Sequence, residues 1–245
     1  MNTADMLRAR FAEVNSEALS YSNGKVYAEP SKIRIETQLK PGQGRYEFNI
    51  KKQDIDNPWE KSLDRNDVFV PNYIGVLLAL RSNTTPMTEI LRSFPVINDG
   101  VNPSAYAAGF TADDAEALYN GSLQWTIDNG VLFNAYPTED FKKIPQTQKA
   151  FILDSQDAAK VESVETEWNI KDALELVIPK LVLCGTRDHR ITVNFSASGL
   201  SFATTAGYTP YLVFYMAGNL IKGGCEFYER RNPNANAVGT FGCDR

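Results

Sequence analysis

Beyond residue 24 the apolar residues of this chain recur with a period of two, and each such run is cut short by Gly, Pro, Asn or Asp. Tyr46, Phe48 and Ile50 alternate with Arg45, Glu47, Asn49 and Lys51 behind a Pro41-Gly42-Gln43-Gly44 turn. Leu123, Trp125 and Ile127 alternate ahead of Asp128-Asn129-Gly130, and Val131, Phe133 and Ala135 return on its far side. Ile191, Val193 and Phe195 share one face of the segment from Arg190 to Ala197. A period of two sends neighbouring side chains to opposite faces, so these runs predict half-buried strands joined by tight turns. The stretch from Tyr73 to Leu80 is apolar at successive positions, the pattern of a strand covered on both sides.

Further strands are expected at Ile33 and Ile35, Thr166 to Ile170, Leu174 to Ile178, Leu181 to Cys184, Leu200 to Ala203, Tyr211 to Ala217 and Glu226 to Tyr228. Helical periodicity is clear in one place, from Thr3 to Leu19, where Leu7, Phe11, Val14 and Ala18 recur behind an Asn2 or Thr3 cap and Asp5. Short inserted helices are expected at Met87 to Phe94 and Ala112 to Tyr119. Many short strands with few helices point to a mainly β sandwich or jelly roll, not to a β-α-β sheet. At 245 residues the chain is long for one sandwich. The polar stretch Thr138 to Lys149, with Lys142-Lys143 and Pro145, is a natural boundary. The expected organisation is an N-terminal helical arm over 1–22, a first β-domain over 23–140, and a second β-domain with a C-terminal tail over 141–245.

Composition then limits the chemistry. A hydrophobic share of 43% suits a packed core, and 25 Lys+Arg against 30 Asp+Glu leave a net charge of -5. A protein that coats nucleic acid through its phosphates needs clustered excess cations, so direct nucleic-acid binding is not expected. A single histidine, His189, lowers the expectation of an enzyme. Asp188-His189-Arg190 reads as a surface hairpin, because chain neighbours on a tight turn point different ways and no nucleophile is specified by spacing. Paired carboxylates for glycoside hydrolysis are available in number, which is no evidence of a site. Asp54, Asp56, Asp64 and Asp67, with Asn57 and Asn66, crowd one loop but miss the spacing of a calcium loop and read as solvated. Cys184, Cys225 and Cys243 lie far apart without a Cys-x-x-Cys pair, which disfavours zinc. They read as thiols in a reducing compartment, with a Cys225 to Cys243 disulfide left open. No catalytic residue, cofactor or metal is therefore expected. The N-terminus lacks the basic start and apolar run of a signal peptide, and the expectation is a soluble chain made in the cytosol.

Among the tryptophans, Trp125 and Trp168 fall in register with core positions, and Trp59, in a polar loop, is the exposed candidate for stacking on a sugar. The N-terminal helix carries Arg8 and Arg10 against Asp5, Glu13 and Glu17, so it is not a basic arm for RNA, DNA or anionic lipid. An apolar stripe of this kind usually packs on its own domain. Its functional alternative is a protein contact, and Leu7, Phe11 and Val14 are the candidate subunit-contact residues, with the tail from Asn232 to Asp244 as a second reach to neighbours.

In its order of elements the chain resembles a double jelly-roll major capsid protein, similar to those of small icosahedral, internal-membrane bacteriophages of flavobacteria. The resemblance runs through Leu63-Asp64-Arg65-Asn66-Asp67-Val68-Phe69-Val70 leading into Ile74-Gly75-Val76-Leu77-Leu78, Leu118-Tyr119-Asn120-Gly121 before a strand, and Ile144-Pro145-Gln146-Thr147-Gln148 between the halves. It implies two tandem jelly-roll barrels, a homotrimeric capsomer contacting neighbouring capsomers and other capsid proteins, an inner edge toward a lipid membrane, no catalysis, and a place in the virion after synthesis in the host cytoplasm. The alternatives are a carbohydrate- or receptor-binding β-sandwich, such as a phage fibre or lectin domain, and a β-sandwich glycosidase or lyase.

Overall fold

A computed structural model describes residues 3–51, 58–84, 89–92, 117–128, 130–142, 173–178, 180–195 and 208–225. The elements are α1 (Thr3–Tyr21), β1 (Ala28–Gln38), β2 (Arg45–Phe48), β3 (Val68–Ser82), β4 (Glu89–Arg92), β5 (Ser122–Ile127), β6 (Gly130–Pro137), β7 (Glu175–Leu176), β8 (Leu183–Cys184), β9 (His189–Asn194) and β10 (Tyr208–Ile221). The helix ends where Asn23 and Gly24 enter the left-handed region at φ 53 and 78 and the Gly24 N–H donates to the Leu19 carbonyl. The Pro41-Gly42 turn forms as expected, with Gly42 at φ 74 and the Gln43 N–H donating to Lys40.

The strands form two antiparallel sheets. The first has the order β1-β10-β3-β4, with β7 and β8 also pairing with β3, and the second has the order β2-β9-β5-β6. The pairs nest: β1 with β10, β2 with β9, β3 with β7 and β8, and β5 with β6. Among the described residues the successive pairs thus alternate between the two sheets, the order in which a jelly roll nests its strands. The expected division at 140 does not partition these strands. Every described strand of the second half, β7 to β10, pairs with a strand of the first. The described residues are mainly β and antiparallel, and all their strands belong to these two sheets. The stretch beginning at Thr138, expected as a linker, starts with a 3-10 turn, Thr138–Phe141, that buries Phe141 in the common core. The Thr138 hydroxyl accepts from the Gly121 N–H at 2.8 Å, tying that turn to the start of β5.

Two sheets of unlike surroundings result. In the second, Tyr46, Phe48, Leu123, Trp125, Ile191 and Val193 face the core, and Arg45, Glu47 and Arg190 are exposed. The first is covered on both faces. Phe69, Ile74, Val76, Leu78 and Leu80 of β3 face the core, and Val68, Val70, Leu77 and Ala79 face the other way. The change from odd to even inward positions occurs where the β3–β10 register slips between Ala217 and Gly218, leaving Asn72 without a partner across the ladder. Gly218 is required there: a Cβ would lie 2.1 Å from the Val70 carbonyl oxygen. The outward face of β3 meets Val14 and Ala18 of α1 at one end and Ala173 and Leu174 further along.

The helix expected from Met87 to Phe94 is corrected to strand β4, whose residues pair with Leu78 to Arg81. An open ladder on β3 outweighs the weak local preference of a four-residue segment. The strands expected at Thr166 to Ile170, Leu200 to Ala203 and Glu226 to Tyr228 lie outside the described residues, as do Trp168, most of the helix expected at Ala112 to Tyr119, and the tail from Asn232 to Asp244.

Phe214 of β10 joins the sheets. Its ring stands edge-on to Trp125 at 5.6 Å and 6.0 Å from Phe48, both on the opposite sheet. Phe214→Ala is expected to cost about 4 kcal/mol, the range for truncating a buried aromatic, measured as a lowered urea midpoint with an unchanged denaturant slope.

Candidate functional site

The described residues offer two surface features with specific chemistry, both on the outward face of the first sheet. One is the docked helix. Arg10, Val14 and Ala18, spaced by four, form the buried ridge of α1. The Arg10 guanidinium donates to the Val177 carbonyl at 2.9 Å and reaches Asn72 Oδ1 at 3.5 Å. Burial lowers its pKa, against the opposing pull of Glu13. Lys180 pairs with Glu13 and Glu17, and Asn15 Oδ1 accepts from the Ala28 N–H at 3.0 Å. The ridge is rotated from the expected stripe. Val14 is 0% exposed against the chain's own sheet and has no surface for a neighbour while the helix is docked, which corrects its place among the contact candidates. Leu7 is half-buried, and Phe11, at 36% exposure, lies on the open side with Leu19. A charged side chain took the position expected for Phe11 because Val177 and the Asn72 bulge supply acceptors for a guanidinium.

The other feature is a charged cluster further along the same face. Arg81 holds Glu36 with two bonds, Nη1 to Oε1 at 2.9 Å and Nη2 to Oε2 at 2.7 Å, and Nη2 also reaches Glu89 at 3.1 Å. Arg34 binds both carboxylates from the other side. Glu36 is 2% exposed and Arg81 15%. Side-chain bonding and charge from Glu36 and Glu89 raise the Arg81 pKa overall, although burial, the largest single influence, opposes them. The Arg81 guanidinium lies between two aromatic faces, 4.4 Å from the Trp59 centroid and 4.3 Å from that of Tyr211. Trp59 is therefore not the open sugar platform expected of it. One of its faces is taken by Arg81, with Arg34 also 5.6 Å away.

Two carboxylates matched by two guanidiniums give a neutral, bidentate network suited to holding β1, β3 and β4 in register.

His189 opens β9 with its ring buried, 2% exposed, which corrects the surface reading of this residue. Its Nε2 lies 2.9 Å from the Cys184 carbonyl oxygen and its ring edge faces Trp125. Asp188 turns away and accepts from Arg190 Nε at 3.0 Å. Of the acidic loop, Asp54, Asp56 and Asn57 lie outside the described residues. Asp67 Oδ1 accepts from the Gly223 N–H at 2.9 Å. Among the described residues no three His, Cys, Asp or Glu side chains converge as metal ligands, and no helix is long and apolar enough to cross a membrane.

No protein-family model, curated protein or solved structure matches the chain.

Glu36→Gln leaves two largely buried guanidiniums short of one charge and is expected to destabilise the fold by about 3 kcal/mol. The control Glu47→Gln, from an exposed pair with Arg45, should leave the urea midpoint unchanged. His189 gives a second expectation. Burial, first among the influences on it, lowers its folded pKa below the ordinary 6.5. Below that value the unfolded chain binds a proton that the folded chain refuses, so stability is full above about pH 6.5 and falls on acidification until the folded pKa is passed. His189→Gln should flatten this part of the stability-against-pH curve relative to the parent.

Proposed function

We propose that the chain is a structural coat subunit that self-assembles with copies of itself into an icosahedral viral shell. The observation that carries the reading is the nested-hairpin, jelly-roll order of its two sheets, an architecture used repeatedly by capsid proteins. Lectins share that architecture, so the connectivity alone does not choose between coat and sugar binder. The occupied face of Trp59 weighs against the sugar-binding alternative, which relied on that ring. The net charge of -5 supports a coat that leaves its genome's phosphates to other partners.

A shell of this kind is held by many shape-matched contacts between identical copies. On this reading one such contact is made by the open side of α1, where Phe11 remains exposed and Leu7 half-buried after Val14 and Ala18 have packed inward. The proposed subunit carries one jelly roll. The hexagonal two-barrel capsomer and its membrane contact came with the double-barrel resemblance and are not part of the proposal.

Sedimentation velocity and negative-stain electron microscopy of the purified chain test the reading. Closed shells, or ordered arrays of one repeating unit, are expected. A chain that stays monomeric or trimeric across salt and concentration, and binds glycans on an array, would make the sugar-binding alternative correct. Phe11→Glu should abolish the large species without moving the thermal midpoint, since the side chain is not in the core. Normal particles from that variant would remove α1 from the interface.

A further inference from the structure

Cys184 and Cys225, remote in sequence, converge at the corner where β3 begins. Cys184 ends β8 opposite Val68 of β3. The carbonyl of the preceding residue, Asp67, accepts from the Gly185 N–H at 2.9 Å and from the Cys225 thiol at 2.9 Å. The Cys225 N–H donates to the Asn66 carbonyl at 3.0 Å. Two adjacent peptide units thus hold both cysteine-bearing segments. Cys225 is buried in the cluster of Val14, Ala18, Val68, Val70 and Ile221, and Cys184 packs against that cluster while keeping partial access to solvent.

Both residues are thiols in the structure. The Cys184 side chain is the strongest influence on Cys225, followed by burial, which opposes it, and then by the Thr186 N–H and hydroxyl and the Gly185 N–H. Together these donors bring the Cys225 thiol down to about 7 from its ordinary 9.0. A buried thiol without such donors would move the other way.

We propose that Cys184 and Cys225 are a dithiol site that oxidises to an intramolecular disulfide at the expense of a small disulfide such as oxidised glutathione. The more accessible Cys184, as thiolate, attacks one glutathione sulfur, forming a mixed disulfide and releasing one glutathione thiolate. Cys225 thiolate then attacks the Cys184 sulfur, forming the Cys184–Cys225 bond and releasing the second glutathione thiolate. The two protons lost by the cysteines are taken up by the two glutathione thiolates, so one disulfide is reduced as one is formed. The bond would tie β8 to the end of β10 at the point where α1 also packs. The inference stands apart from any assembly of the chain.

The test uses the full-length chain treated with oxidised glutathione at pH 8, alkylated, digested without reduction and mapped by mass spectrometry. The expected product is a peptide linked through Cys184 and Cys225, with the protein lighter by two hydrogens. Cys243→Ser should give the same link, and Cys225→Ser should stop at a glutathione adduct on Cys184. A link between Cys225 and Cys243 in the parent overturns the proposal. So does an adduct that persists on Cys184 of the parent, or recovery of both Cys184 and Cys225 as alkylated thiols.

Discussion

β10 is hydrogen-bonded along both edges, to β1 over the whole of that strand and to nearly the full length of β3, so two segments far apart in sequence become neighbours only through it. Its inward residues Leu212, Phe214 and Met216 supply the first sheet's middle rank of core side chains. Phe214 carries the contact across to Trp125 and Phe48. Without β10 the edge of β1 and the edge of β3 would both be open, and the faces that meet Trp125 would have no common plane. Closing such a sheet requires β1 and β10 to meet across most of the described chain, an entropic cost that local contacts do not offset. Folding of this domain is accordingly governed by long-range pairing.

The outward face of the same sheet shows how one surface can be covered by three different chemistries. The end near Val68 and Val70 takes the apolar ridge of α1. The middle takes Leu174, for which Gly75 leaves room, since a Cβ there would lie 2.5 Å from Leu174 Cδ2. The far end carries Arg34, Glu36, Arg81 and Glu89 under Trp59. An ion network of this kind loses much of its attraction to desolvation, so its value lies in geometry as much as in energy. The bidentate Arg81–Glu36 pair admits one alignment of β3 against its neighbours, whereas interchangeable aliphatic contacts would tolerate a slip.

What the sequence disclosed follows from these surroundings. The second sheet has one wet face, so Tyr46 and Phe48, Leu123 and Trp125, and Ile191 and Val193 were legible as alternating runs. β3 was legible as doubly covered because its apolar run shows no alternation. β4 was misread as helix, since a short segment whose form depends on the open edge of β3 carries no periodic signal of its own. Arg10 entered the sequence reading only as part of the helix's charge balance, and nothing near it in sequence announces the Val177 carbonyl that receives it. The insertion of β10 between β1 and β3 had no local signature at all, and neither did the pairing of β7 to β10 with strands that precede the polar stretch after Thr138. The closeness of Cys184 and Cys225 is likewise a product of strand register and not of spacing.

The pairing of Ala28 with Ile221 puts the start of β1 and the end of β10 at one corner of the first sheet. Val14 and Ala18 of α1 and Cys225 all pack there against Val68 and Val70. That corner therefore gathers the helix, the start of β1 and the end of β10 on the first sheet, while the turn between β5 and β6 belongs to the other sheet. There Asp128 is held by the Asp188 N–H and the Arg187 guanidinium, so each sheet has its own corner fixed by contacts between remote segments.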